Sequence, residues 1–283
     1  GMNEAVARAL RNRHPGRVFW SEYLAQGPIV YARIDEIADA ETSLAHFVTG
    51  IVRQAEENDA RLIIDLRSNF GGSGSLNRTL ELALIQSEAL NQYGRTFVLI
   101  GRRTFSAAQL LANSLEAYTR VLFVGEPSGA RPDHFGDART TRLAHSGLTL
   151  RVSSLHWSSP RAHDARESLS PDLPAPWTSA QFFAGQDPAL EVARDYRFDF
   201  TALLRSAFER GDEYLVGRYL ADQRWSPDTF SEDFSATLLE VGRQLQARGQ
   251  HNQAGLAYRY GLFFFPGDAE LKEALQSLPS GSE

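Results

Sequence analysis

Three short apolar runs, RLIIDL at 61–66, TFVLIG at 96–101 and RVLFVG at 120–125, recur in the first half of the chain with amphipathic stretches between them. Apolar runs of this length, bounded by turn formers, suit strands that are covered on both faces. Between them, 43–57 places Leu44, Phe47, Val48, Ile51 and Val52 three and four residues apart, as one buried helix face requires. Segments 75–90 and 107–118 repeat the helical pattern. With an extended run at 28–34, the order is β-α-β-α-β-α-β with short loops. That order predicts an α/β fold built on a mostly parallel sheet with right-handed crossover helices.

The flanks read differently. A short helix is expected over 3–13, stopped by His14-Pro15-Gly16, within a helical lead-in at 1–27. Segments 138–143 and 148–153, joined around His145-Ser146-Gly147, predict a hairpin that closes the α/β core, which is assigned to 28–190. Residues 159–190 carry Pro171, Pro174, Pro176 and Pro188 with little periodicity, and are expected to form a long surface arm leading out of the domain. From 197 to 283 the pattern is helical. Within it, Gly242, Gly249, Ala254, Ala257, Tyr258 and Phe264, followed by Pro266, resemble a tetratricopeptide repeat. The resemblance implies a small all-α tail that packs against the chain or receives a protein partner.

Composition excludes several functions. With a formal charge of −6 and scattered arginines, the chain lacks the clustered positive charge of a nucleic-acid-binding surface. The absence of cysteine removes disulfides, thiolate nucleophiles and Cys-ligated metals. No apolar run approaches the ~18 residues of a membrane span, and no signal peptide is visible. Gly1-Met2 reads as an expression remnant, which leaves the compartment open and favours a periplasmic or other extracytoplasmic location if an export signal was removed. No cofactor motif is present: the glycine-rich turn at 71–74 lacks the Gly-Lys-Ser/Thr ending of a phosphate loop. Asp133, His134 and Asp137 lack the second ligand cluster a metal would need.

Three segments carry chemistry. In LIIDLRSNFGG (62–72) a strand ends at Asp65-Leu66-Arg67 and Gly71-Gly72 lets backbone amides approach a ligand. In GRRTFSAAQ (101–109) Ser106 sits at the mouth of a helix, where amides and the helix dipole favour developing negative charge. Ser106-Ala107-Ala108-Gln109 is also a capping box, which by itself accounts for the serine. The third segment, VLFVGEPSGARPDHFGD (121–137), brings Arg131 and His134.

In this order, the three segments resemble the C-terminal processing (tail-specific) serine protease family, whose core is similar to the ClpP and crotonase folds. The resemblance covers roughly 28–176 and does not include that family's PDZ module. It matches D-L-R-x-N-x-G-G at 65–72 and a T-[FA]-S-[AS]-[AS] turn at 104–108. It implies a serine-type peptidase with Ser106 as nucleophile, an oxyanion amide from Gly71 or Gly72, and a second from Ala107, acting on a peptide or protein C-terminus.

One departure is decisive. The family's V-G-E-x-T-x-G-K places a lysine base about 25 residues after the serine, and Arg131 stands 25 residues after Ser106 here. A guanidinium cannot be deprotonated in a protein, and the chain's single lysine, Lys272, lies in the tail. A Ser/Lys dyad is therefore excluded. Three arrangements remain. His134 can serve as the base, as histidine does in a related branch of the family, with His14, His145, His156 and His163 as further candidates. Alternatively, the site binds peptide without turnover, Arg131 gripping a carboxylate through its planar fork. Or Ser106 is only a helix cap.

Overall fold

The computed structural model describes residues 9–25, 27–161, 163–225 and 234–279. They divide into two compact units, 1–197 and 198–283. Among the described residues, no helix is long and apolar enough to cross a membrane.

The first unit is organised by strands β1 (Phe19–Leu24), β2 (Ile29–Ile34), β3 (Arg61–Asp65), β4 (Thr96–Ile100) and β5 (Leu122–Gly125). β2 through β5 are mutually parallel, and β1 joins β2 antiparallel, Phe19 opposite Ile34. The fold is thus the mixed α/β architecture, with a mostly parallel sheet, that the alternating runs predict. The crossovers are α1 (Leu44–Glu57), α2 (Asn77–Gln86) and α3 (Ala107–Tyr118). Side chains alternate across each strand. Val30, Leu62, Ile64, Val98, Ile100 and Phe123 face one way and form a dry layer with Val48, Ile51, Leu80, Leu84, Leu111 and Leu115 of the helices. The opposite set, including Ile63, Phe97, Leu99 and Val124, is also fully buried, which is why these runs lack polar alternation.

Three expectations are corrected. Residues 19–24 form an edge strand, not part of a helical lead-in, and the described portion of 3–13 is a single 3-10 turn at Leu10–Asn12; residues 1–8 lie outside the described residues. The hairpin is real but longer, β6 (His134–Arg142) with β7 (Thr149–Trp157), and it makes a separate two-stranded sheet instead of closing the core.

The arm at 159–190 does not leave the unit. Its β8 (Leu173–Pro174) adds in parallel to β5 and completes a six-stranded sheet. Buried polar side chains anchor it: Phe123 N donates to Asp172 Oδ2 at 2.6 Å, and Leu169 N to Ser128 Oγ at 2.9 Å. Arg166 makes a two-pronged bridge to Glu116 of α3 at 2.9 and 2.7 Å. The arm continues through α4 (Ser179–Phe183) and α5 (Pro188–Asp195), the latter capped by Asp187, whose carboxylate accepts from Leu190 N.

Among its described residues, the second unit is helical: α6 (Phe200–Glu209), α7 (Glu213–Trp225), α8 (Phe234–Ala247), α9 (His251–Phe264) and α10 (Ala269–Gln276). Close approach of α8 to α9 depends on Gly242, where a methyl group would lie 2.1 Å from the Tyr258 ring.

Candidate active site

Two turns at the carboxyl ends of β3 and β4 are stitched together by buried hydrogen bonds. Thr104 Oγ1 donates to Leu66 O at 2.9 Å, and Phe105 N donates to Asn69 O at 3.1 Å. Asn69, fully buried, donates through Nδ2 to Ile34 O at 2.9 Å and accepts from Gly71 N at 2.8 Å. Because an unmet buried polar group is costly, these bonds fix both turns. In the sequence Asn69 is a matched letter of D-L-R-x-N-x-G-G with no role assigned; these bonds supply the role.

At the end of the second turn stands Ser106, with φ 54° and ψ −124°. For a residue with a Cβ this is a strained left-handed conformation that costs of order 1–3 kcal/mol. The strain is not offset by capping. Ser106 makes no side-chain bond to the helix end, and Gln109, its expected capping-box partner, instead donates to Asn113 Oδ1 at 2.8 Å. Among the described residues, the Ser106 hydroxyl has no hydrogen-bond partner. Substitution should show the difference. Losing a capping serine costs about 1 kcal/mol, whereas Ser106→Gly is expected to raise stability by about 1 kcal/mol through relief of strain. Ser106→Ala, which keeps the strained backbone, should leave stability within about 0.5 kcal/mol. Thermal melts decide; a loss of 1 kcal/mol or more in the alanine variant would restore the cap.

The Gly-Gly turn lies directly against this serine. A methyl group at Gly71 (φ 118°) would sit 2.7 Å from Ser106 Cβ, 3.1 Å from Ser106 Oγ and 3.1 Å from the Ala107 nitrogen. At Gly72 (φ 131°) it would sit 2.3 Å from Ile37 O. The two glycines differ in their donors. Gly71 N is consumed by Asn69, whereas in the exposed residue Gly72 the N has no acceptor among the described residues. Ala107 N, at the first position of α3, has no acceptor within its helix. Ser106, Gly71, Gly72 and Ala107, expected together, are thus brought together.

The third segment lies on the far side of Phe105, whose ring centroid is 5.8 Å from that of His134. Both line a hollow of about 380 Å³ that also includes Arg131, Asp133 and His156. A buried polar chain ties this loop to α3: Asn113 Nδ2 donates to Pro132 O at 2.9 Å, and His134 Nδ1 lies 3.3 Å from the same oxygen. His134 is 8% exposed, and its Nε2 is buried without a partner among the described residues. His134 and Ser106 are not hydrogen-bonded to each other. Arg131 is not the free carboxylate grip envisaged, because its guanidinium forms a solvent-exposed pair with Glu167. Asp133 and Asp137 are used structurally, accepting from Ser159 N and Trp157 Nε1.

No protein-family model matches the chain, and no curated protein does. Solved structures do. A provisionally assigned peptidase from Parabacteroides merdae superposes with a TM-score of 0.50 at 18% identity, over 62% of this chain and 63% of that one. The photosystem II D1 C-terminal processing protease gives 0.41 at 17% identity, over 60% and 53%. A provisionally assigned S41 protease from Bacteroides fragilis gives 0.41 at 12% identity, over 69% and 57%. This chain therefore covers less than two thirds of each. The parallel sheet and its crossover helices form a fold shared with a chain described as a peptidase.

Proposed function

We propose that this protein is a serine hydrolase acting on peptide bonds, with Ser106 as nucleophile. The observation that carries the reading is a serine held in a strained turn, doing no capping, packed against Gly71, with the amides of Gly72 and Ala107 in the same two turns unpaired among the described residues. Ser106 Oγ attacks the scissile carbonyl carbon and its proton passes to a base. The resulting oxyanion accepts from Gly72 N and Ala107 N, and collapse of the intermediate expels the amine, which takes the proton. Water then hydrolyses the acyl-enzyme by the same route.

The base assigned is His134. With Nδ1–H donated to Pro132 O, Nε2 carries the lone pair, the tautomer that general-base catalysis needs. Catalytic hydrogen bonds are often loose without substrate and tighten when it binds, and here the Ser106–His134 bond has to form in that step. The all-helical unit is read as a tetratricopeptide-like packing or partner surface.

A fluorophosphonate probe tests the proposal. Labelling of the wild type that disappears in Ser106→Ala and falls at least about a hundredfold in His134→Ala is expected. No Ser106-dependent adduct anywhere across about pH 6 to 9 would refute it.

A further inference from the structure

A second cavity, also about 380 Å³, opens at the carboxyl ends of β3, β4 and β5 and is walled by the same two turns that hold Ser106. Ser68 and Arg103 lie in its wall, and Gly71 and Ser106 end the respective turns. Crevices outside the carboxyl ends of parallel strands are where open α/β sheets receive ligands. Five arginines line this one: Arg11, Arg33, Arg67, Arg102 and Arg103.

Three of them are committed. Arg33 pairs with Asp35, Arg102 with Glu126, and Arg67 with both Asp65 and Asp187. Arg11 is not. Its side chain is only 7% exposed, and it reaches Asp187 at a long 3.7 Å because Arg67 already holds both oxygens of that carboxylate at 2.7 and 2.9 Å. Its Nη2 is buried with no partner among the described residues. Burial, with Arg67 alongside, lowers the Arg11 guanidinium from its ordinary value against the pull of Asp187, as expected for an incompletely neutralised cation. Arg103 has no ion pair among the described residues and lies 4.8 Å over the Phe70 ring. Five guanidinium groups thus face four carboxylates (Asp35, Asp65, Asp187 and Glu126), leaving one positive charge.

Apolar surface supplies the remainder of the wall. The Arg11 guanidinium lies 4.7 Å from the Trp177 ring and 5.4 Å from that of Phe182. One surplus charge, presented by planar forks beside aromatic rings, matches a monoanion with an apolar body better than a doubly charged phosphate.

We propose that this cavity binds the carboxylate of a small apolar acid, with the exposed Arg103 as its donor and the buried Arg11 supplying positive charge behind the wall. That chemistry comes from two sources, a free acid or the terminal carboxylate of a peptide. The second source rests on the reading of Ser106 as a nucleophile in the adjoining turn.

Calorimetry on the full Ser106→Ala protein tests this with N-acetyl-leucine and its amide, and with a pentapeptide ending in leucine as acid and as amide. Each acid is expected to bind at least about tenfold more tightly than its amide. Arg103→Gln should weaken the acids about tenfold and leave the amides unchanged. The same loss in Arg11→Gln, with a thermal melt to confirm folding, would assign the buried charge to the site. A peptide acid about tenfold tighter than N-acetyl-leucine identifies the ligand as a chain terminus, and equal affinities identify a free acid. Acids and amides binding alike, no binding at about 10 mM, or inorganic phosphate binding more tightly than either acid would each overturn the proposal. Probe labelling of the wild type, read in parallel, separates the two readings. Labelling without acid-selective binding sinks the cavity alone, and acid-selective binding without labelling sinks the nucleophile alone.

Discussion

Asp65→Ala is expected to destabilise the α/β unit by about 3–5 kcal/mol, the cost of stripping one partner from a buried ion pair. Asp65 ends β3 with 3% exposure and is bonded on every side. It accepts from Arg67 Nε at 2.9 Å, Arg67 Nη2 at 2.6 Å, the Arg67 amide at 3.0 Å and the Tyr31 hydroxyl at 2.6 Å. Without it Arg67 keeps only Asp187, and the Tyr31 hydroxyl is left buried without its acceptor.

The same carboxylate sets an acid limit. Burial by itself would raise its pKa, but Arg67, then Arg33 and the Tyr31 hydrogen bond, outweigh burial and bring it to about 2 from an ordinary 3.8. The folded value is the lower one. The stabilisation is therefore fully present above about pH 4 and is lost as the pH falls through 2, amounting to about 2 kcal/mol. Urea unfolding of wild type and variant should show a gap of several kcal/mol at pH 6 that narrows toward pH 2. A gap below 1 kcal/mol at pH 6, or one that does not change with pH, would contradict this account.

Gly71→Ala is expected to reduce fluorophosphonate reactivity by at least about a hundredfold, the scale on which a mispositioned nucleophile or oxyanion donor acts. The added methyl would meet Ser106 Cβ at 2.7 Å, and Cβ cannot rotate out of the way as the tip of a long side chain can. Any relief moves the Ser106 backbone, and with it Oγ and the neighbouring Ala107 amide. Since φ is 118° at this glycine, the variant should also lose about 1–2 kcal/mol of stability. Gly74→Ala is the control, because no heavy atom lies within 4 Å of a methyl placed there. Wild-type labelling in Gly71→Ala would mean that Ser106 and the Gly-Gly turn do not share a site.

The α/β core was legible because each buried strand is a block such as LIID or FVLI, and each crossover helix shows one apolar stripe. Hydrophobic periodicity reports burial, and burial defines these elements. The arm at 159–190 was illegible for the complementary reason. What returns it to the sheet is a set of single polar bonds, Asp172 to Phe123 and Asp187 to Arg67, spanning 49 and 120 residues. Such bonds leave no period. Ser106 shows a further limit: Ser-x-x-Gln reads as a capping box, and only the backbone dihedrals show that this serine faces away from that task. Arg131 is excluded as a base by its chemistry alone, whereas the glutamate that engages it lies 36 residues further on. Arg11, fifty-odd residues before the first chemical segment, carried no signal in the sequence.

The chain of bonds from Gln109 through Asn113 to Pro132 and His134 has a consequence for mutational scans. It couples the helix that Ser106 opens to the loop that carries His134, so damage at Asn113 disturbs the setting of both. On the proposed chemistry, loss-of-activity variants would also fall at Asn113, about two helical turns along α3 from Ser106, and a map drawn from them alone would place the centre too deep.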